Sequence, residues 1–147
     1  GLVRTILPHY QPDDLRVLLA FEHPGAAEDR EAFAELVGLS QAYFNGEPVD
    51  FAEIDCDLPS QKSWAGKVLR ALRGIGYGRS VSYSELSRLA GNPEGARATA
   101  AAVGKNPLPL VIPCHRVIYN DGRIGGFSAH AGPEQKRRML QLEGASG

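Results

Sequence analysis

The sequence predicts an α+β chain. A small N-terminal α/β subdomain over residues 1–58 precedes a C-terminal winged-helix-like (helix-turn-helix) domain over residues 59–147, which carries a candidate reactive cysteine. Three observations predict this. The 147 residues, 43% hydrophobic and 22% charged, suit one ordinary globular unit with at most a small appendage, able to bury a core without a disulfide or metal staple. Leu58-Pro59-Ser60 marks a join. Beyond it, a serine capping signal, a Gly91-Asn92-Pro93 turn and an alanine-rich segment compose a helix-turn-helix.

In the N-terminal part, Leu15 to Phe21 predicts a short strand, and Pro24-Gly25 a break. A helix is predicted over 31–43, where Phe33, Leu36, Val37, Leu39, Ala42 and Tyr43 recur at helical spacing until Asn45-Gly46 stops it. Phe33, Tyr43 and Phe44 read as core, and the subdomain as support. After the join, Trp64, Val68, Leu69 and Leu72 form one helical stripe ending at Gly74-Ile75-Gly76-Tyr77-Gly78. That glycine string lacks the Lys-Ser/Thr ending of a phosphate-binding loop and predicts a turn. Ser82-Tyr83-Ser84-Glu85 fits a capping box, with the Ser82 hydroxyl accepting from the Glu85 amide and the Glu85 carboxylate reaching back. The helix it opens runs to about Ala90. Asn92 is then expected to cap a second helix over 94–103, with Pro93 at its first position and Gly104 at its end.

Charge is unevenly spread. Residues 1–60 hold three basic against twelve acidic side chains, and residues 61–147 hold thirteen against five, within a net charge of -1. A basic C-terminal part carrying a helix-turn-helix points to nucleic acid, and two plain solvated surfaces are the alternative. The second helix is unusual for a base reader: Ala96, Ala98, Ala100, Ala101 and Ala102 surround a single long cation, Arg97. Small side chains suit close approach to a backbone or a minor groove. The longest apolar run is far below the ~20 residues of a membrane span, and residues 1–10 lack a signal-peptide core, so a soluble, cytoplasmic protein is expected.

The chemistry gathers in Asn106-Pro107-Leu108-Pro109-Leu110-Val111-Ile112-Pro113-Cys114-His115-Arg116-Val117. A thiol is a useful nucleophile only as thiolate, so Cys114 needs a base. His115 is adjacent, but neighbours on an extended strand face opposite ways, so their cooperation requires a bend, which Pro113 suits, or a bridging water. From these residues alone, nucleophile and inert buried cysteine both stand. Cys114-His115 has the wrong spacing for a chelating pair, and Cys56, His9, His23 and His130 form no ligand pattern, so no metal is expected.

The run Ile112-Pro113-Cys114-His115-Arg116-Val117, with Gly91-Asn92-Pro93, Arg97, Asn106-Pro107 and the later Leu142-Glu143-Gly144, closely resembles the active-site domain of the O6-alkylguanine-DNA alkyltransferases over about residues 51–144. The resemblance implies repair by direct damage reversal in duplex DNA. The alkyl group of O6-alkylguanine, or of O4-alkylthymine, moves irreversibly onto Cys114 after base flipping, once per molecule and without a cofactor. It implies that His115 acts through a water as base, that Glu143 orients His115, and that Asn106 fixes the turn bearing the cysteine. Tyr83 would donate to the extruded base, and Pro109, Val117 and Ser128 would shape its pocket. Arg97 would enter the stack from the minor groove, on a helix whose Ala96 and Ala98 lie against the DNA. Lys136 matches the family lysine near the pocket, with a plain basic helix face beside Arg137 and Arg138 as the other reading. A monomer is expected. Non-repairing lesion binders related to the family, which lack the cysteine, and a DNA-binding regulator without chemistry are the alternatives.

The departures from the family pattern are local. Gly126-Phe127-Ser128-Ala129-His130-Ala131-Gly132 replaces the usual glycine-rich pocket loop, Ser63-Trp64 stands in place of a Phe-Gln pair, and the N-terminal part is shortened. The zinc ligands of some members have no counterpart, and only Tyr43-Phe44-Asn45-Gly46 and Phe51 match the family's approach to the second domain.

Overall fold

The computed structural model describes residues 1–7, 11–125 and 132–145. Six α-helices and a parallel pair of two-residue strands make a helix-rich molecule with one small sheet among the described residues.

The expected strand at Leu15–Phe21 is instead part of helix α1, Pro12–Glu22. Local chemistry explains the correction. Pro12 occupies the first turn, where its missing N–H is no loss, and Asp13 and Asp14 stand against the positive end of the helix dipole. No α1 residue is buried and Phe21 is 85% exposed, so there is no sheet here to recruit the segment as a strand. Arg4 reaches across to Glu22. Among the described residues, extended pairing in this part is a single parallel bridge, Leu2 to Cys56. Helix α2 spans Ala34–Phe44, three residues later than expected at its start. The Asp29 carboxylate takes the Glu31 and Ala32 amides at 2.9 and 3.1 Å, holding those residues in a turn.

Helix α3, Trp64–Arg73, begins as its stripe predicts, with the Ser63 hydroxyl accepting from the Gly66 amide at 3.0 Å. Val68, Leu69 and Leu72 are buried, each contributing roughly 1.5–3 kcal/mol. Gly66 is a steric requirement: a Cβ there would meet the Ser60 carbonyl oxygen at 2.1 Å. The 58–60 segment therefore lies directly on α3, and Arg70 ties it there by donating to the Pro59 carbonyl at 2.7 Å.

Strand β1, Val81–Ser82, leads into α4, Tyr83–Leu89. Half of the capping box forms: Ser82 Oγ accepts from the Glu85 amide at 3.0 Å, while the Glu85 carboxylate turns outward to Arg79 at 3.2 Å. An exposed carboxylate gains as much from a guanidinium as from one backbone amide, which accounts for the difference. Helix α5 spans Ala96–Gly104, not 94–103. Asn92 accepts from the Glu94 amide and its carbonyl from the Gly95 amide, so Asn92 closes a separate turn and Gly95 precedes the helix. Helices α3, α4 and α5 pack together. Strand β2, Val117–Ile118, pairs parallel with β1 in the register Val81 to Val117, and α6, Gly132–Leu142, packs on the turn before β2.

One apolar core crosses the predicted join, running from Tyr43 and Phe51 through Val68, Leu72 and Ile112 to Met139. Its continuity fixes α2 against the segment that carries Cys114.

Candidate active site at Cys114

Cys114, His115 and Arg116 form a single 3-10 turn that Pro113 introduces, so the bend expected of Pro113 is present. All three side chains are buried, Cys114 at 1% exposure. A helical turn separates successive side chains by less than the opposition of a strand, which is how neighbours can serve one site.

The loop before the turn is held by Asn106. Its Nδ2 donates to the Ile112 carbonyl at 2.9 Å, and its Oδ1 accepts from the Leu108 amide at 3.0 Å, so one buried side chain closes the loop from Asn106 to Ile112. Inside it Leu110 has a positive φ of 77°. Such a backbone costs about 1–3 kcal/mol for a non-glycine residue and persists only where its surroundings enforce it.

Glu143, just past α6, collects the site's donors. Its Oε1 accepts from His115 Nε2 at 2.6 Å, Tyr43 Oη at 2.7 Å and Arg116 Nη2 at 3.0 Å. Its Oε2 accepts from Arg116 Nε at 3.0 Å and the Gly78 amide at 3.1 Å. Burial alone would raise this carboxyl, but the His115 and Arg116 hydrogen bonds outweigh it and hold it at about 2. Arg116 also donates to the Ile75 carbonyl at 2.5 Å. With Nε2 on the carboxylate, His115 keeps its proton there and its Nδ1 has no hydrogen-bond partner among the described residues. Burial lowers the His115 pKa more than Glu143 restores it, so the imidazole is neutral with a bare Nδ1, the form a base needs.

Lys136 is treated differently. It is 0% exposed, so the reading as a basic helix face is corrected: on α6 it is Arg137 and Arg138 that face solvent, both paired with Glu134. Its ammonium has no hydrogen-bond partner among the described residues and sits 5.8 Å from the Tyr83 ring centroid. Burial lowers it to about 8, against an opposing pull from Cys114. Tyr83 is buried and raised to about 12, by burial first and then by Tyr119 and Cys114. Cys114, Lys136 and Tyr83 thus share one electrostatic neighbourhood.

Outside it, Arg97 and Ala98 are exposed on α5. Arg97 and Ala96 line a cavity of about 500 Å³ with Tyr83, Tyr119 and Arg123, so Tyr83 joins the buried site to the open one. Val117 is fully buried on β2. Pro109 is buried too and lines a groove against α2, its carbonyl accepting from Thr5 Oγ1 at 2.7 Å. Ser128 and the rest of the altered loop before Gly132 lie outside the described residues. Among the described residues no cluster of His, Cys, Asp or Glu could hold a metal, and no helix is long and apolar enough to cross a membrane.

The sequence reading missed two contributors. Tyr43 reads as core because a buried tyrosine on an apolar stripe gives no sign of where its hydroxyl points. Gly78 reads as turn, and its positive φ of 75° is what aims its amide at Glu143. Arg116, expected from the motif only to pair internally, does so as the principal partner of Glu143.

Residues 63–145 match the family described as 6-O-methylguanine DNA methyltransferase, DNA binding domain. A methylated-DNA–protein-cysteine methyltransferase of Mycolicibacterium paratuberculosis is 40% identical over 119 residues, 81% of this chain and 70% of that protein. The fold is similar to the Mycobacterium tuberculosis O6-methylguanine methyltransferase, with a TM-score of 0.75 at 32% identity over 100% of this chain and 84% of that one. It is also similar to a Mycobacterium tuberculosis OGT in complex with DNA, with a TM-score of 0.69 at 33% identity over 82% and 77% of the two chains. By the extent of these matches, the chain belongs to the methylated-DNA–protein-cysteine methyltransferase family.

Proposed function

We propose that this protein repairs alkylated DNA by moving the alkyl group of O6-alkylguanine, and of O4-alkylthymine, onto Cys114 in one irreversible turnover. The observation that carries the reading is the buried turn on which Cys114 adjoins a neutral His115, with Nε2 anchored on Glu143 and Nδ1 without a hydrogen-bond partner among the described residues.

In this reading the thiol proton passes through a water to His115 Nδ1. The thiolate attacks the alkyl carbon, a C–S bond forms as the C–O6 bond breaks, and the electron pair leaves on guanine. Tyr83 hydrogen-bonds the departing base, which takes up a proton and returns as guanine. The buried Lys136 ammonium favours negative charge on the sulfur and on the base alike. No resident cofactor takes part, and the thioether is stable, so each molecule acts once.

Cys114 is buried, so the base must leave the duplex to reach it, at a cost of a few kcal/mol. Arg97, exposed among alanines, fills the gap in the stack from the minor groove, with Ala96 and Ala98 allowing α5 to lie close. Asn106 holds the cysteine loop, while Pro109, Val117, Ser128 and Lys136 bound the base pocket. The unit 59–147 is a winged-helix-like DNA-binding domain supported by the subdomain 1–58, and the protein acts as a cytoplasmic monomer on double-stranded DNA.

The test is intact-protein mass after incubation with duplex DNA carrying one O6-methylguanine. A stoichiometric gain of one methyl on Cys114, absent in Cys114→Ser, is expected. DNA binding with no gain would instead make the protein a lesion binder or a regulator without chemistry.

A further inference from the structure

We propose that Tyr43 is a positioning residue of the relay: its hydroxyl, delivered from α2 in the N-terminal part, sets the proton affinity of His115 by sharing the Glu143 oxygen that holds the imidazole. The proposal rests on the reading of His115 as the base for Cys114.

Tyr43 is 0% exposed, yet its hydroxyl is not idle. It donates to Glu143 Oε1 at 2.7 Å and lies 3.3 Å from His115 Nε2, which itself donates to that same oxygen at 2.6 Å. The ring is fixed by edge contacts to Phe44, Tyr77 and His115, with centroids 5.1, 6.0 and 6.2 Å away, so the hydroxyl has one direction. Were the ring needed only for packing, phenylalanine would fill the space without burying a polar atom.

Two donors on one carboxylate oxygen divide its charge. Whatever Tyr43 withdraws from Oε1 is lost to an imidazolium at the same oxygen, so Tyr43 disfavours a second proton on His115. The other groups that bear on His115 are Glu143, which favours that proton, and Arg116 and Lys136, which oppose it along with burial. Tyr43 therefore tips a balance among strong terms toward a neutral base with Nδ1 available. It also makes the relay depend on both parts of the chain, since α2 must dock for the hydroxyl to arrive.

The experiment is ¹⁵N NMR titration of His115, its signal assigned by its loss in His115→Gln, in the parent protein, in Tyr43→Phe and in protein with 3-fluorotyrosine incorporated at Tyr43. Phenylalanine is expected to raise the midpoint by about one pH unit, the scale of one charge-assisted hydrogen bond, and the more acidic fluorophenol to lower it. The acid limb of the alkyl-transfer rate should move with the midpoint while DNA affinity stays constant. An unmoved midpoint, or a rate reduced by one factor at every pH, overturns the proposal and leaves Tyr43 as packing. If Tyr43→Phe fails to fold, the fluorotyrosine protein still gives the shift or its absence. The titration needs no alkylated DNA, so it reports on Tyr43 even if Cys114 takes up no alkyl group.

Discussion

Two charges are buried beside the Cys114 turn, and the protein treats them in opposite ways. Glu143 accepts hydrogen bonds from Tyr43, His115, Arg116 and the Gly78 amide, and stays ionised down to about 2. Lys136 has no hydrogen-bond partner among the described residues and loses its charge near 8. A buried charge is tolerated when its partners replace water, and otherwise costs several kcal/mol. The Glu143 side is thereby saturated with hydrogen bonds, whereas among the described residues the Lys136 ammonium has the Tyr83 ring beside it and no hydrogen-bond partner.

The largest test of that contrast is Arg116→Met. It removes both guanidinium bonds to Glu143 and the bond to the Ile75 carbonyl, leaving a buried carboxylate short of partners, and is expected to cost about 3–5 kcal/mol in urea unfolding. A cost below 1 kcal/mol would mean that Tyr43, His115 and Gly78 suffice. Lys136→Met should have the opposite sign. A similar volume without charge is expected to stabilise by about 1–3 kcal/mol while slowing alkyl transfer strongly, so that loss of both stability and activity would break the comparison.

The pH dependence sharpens it. Folding lowers the Lys136 pKa from 10.5 to about 8, so between these values the unfolded chain binds the extra proton. Stability then rises with pH across this window, and that rise should vanish in Lys136→Met. Folding lowers Glu143 from 4.5 to about 2, so its contribution is complete above 4.5 and is lost as pH falls toward 2. The smallest expected effect is Gly78→Ala, about 1–2 kcal/mol for a side chain at a φ of 75°, with transfer chemistry retained if the amide still reaches Glu143.

Helices α3 and α4 were legible because their signals are local. The Trp64–Leu72 stripe and the Ser82 cap involve residues within a turn of one another, and α3 and α4 form where they indicate. The strand expected at Leu15–Phe21 failed because a run of apolar residues has no period to separate strand from helix, and the first-turn Pro12, Asp13 and Asp14 decided it. The site divided likewise. Cys114, His115, Asn106 and Glu143 belonged to a motif with fixed spacing. Tyr43 lay in a matching run too, but its role was not legible, because its partner lies 100 positions away and nothing within α2 separates a hydroxyl that bonds a carboxylate from one merely enclosed.

The sequence by itself determined the helical C-terminal part, the resemblance to alkyltransferases and the order of the cysteine motif, since these rest on neighbours along the chain. Only the tertiary structure decided which buried polar groups meet. Docking α2 on the cysteine turn brought Tyr43 to Glu143, the turn at Gly78 aimed an amide at the same carboxylate, and packing of α6 buried Lys136 over the Tyr83 ring with no hydrogen-bond partner among the described residues. Charge and proton affinity follow from those meetings, because both depend on distance and desolvation in space rather than on position in the chain.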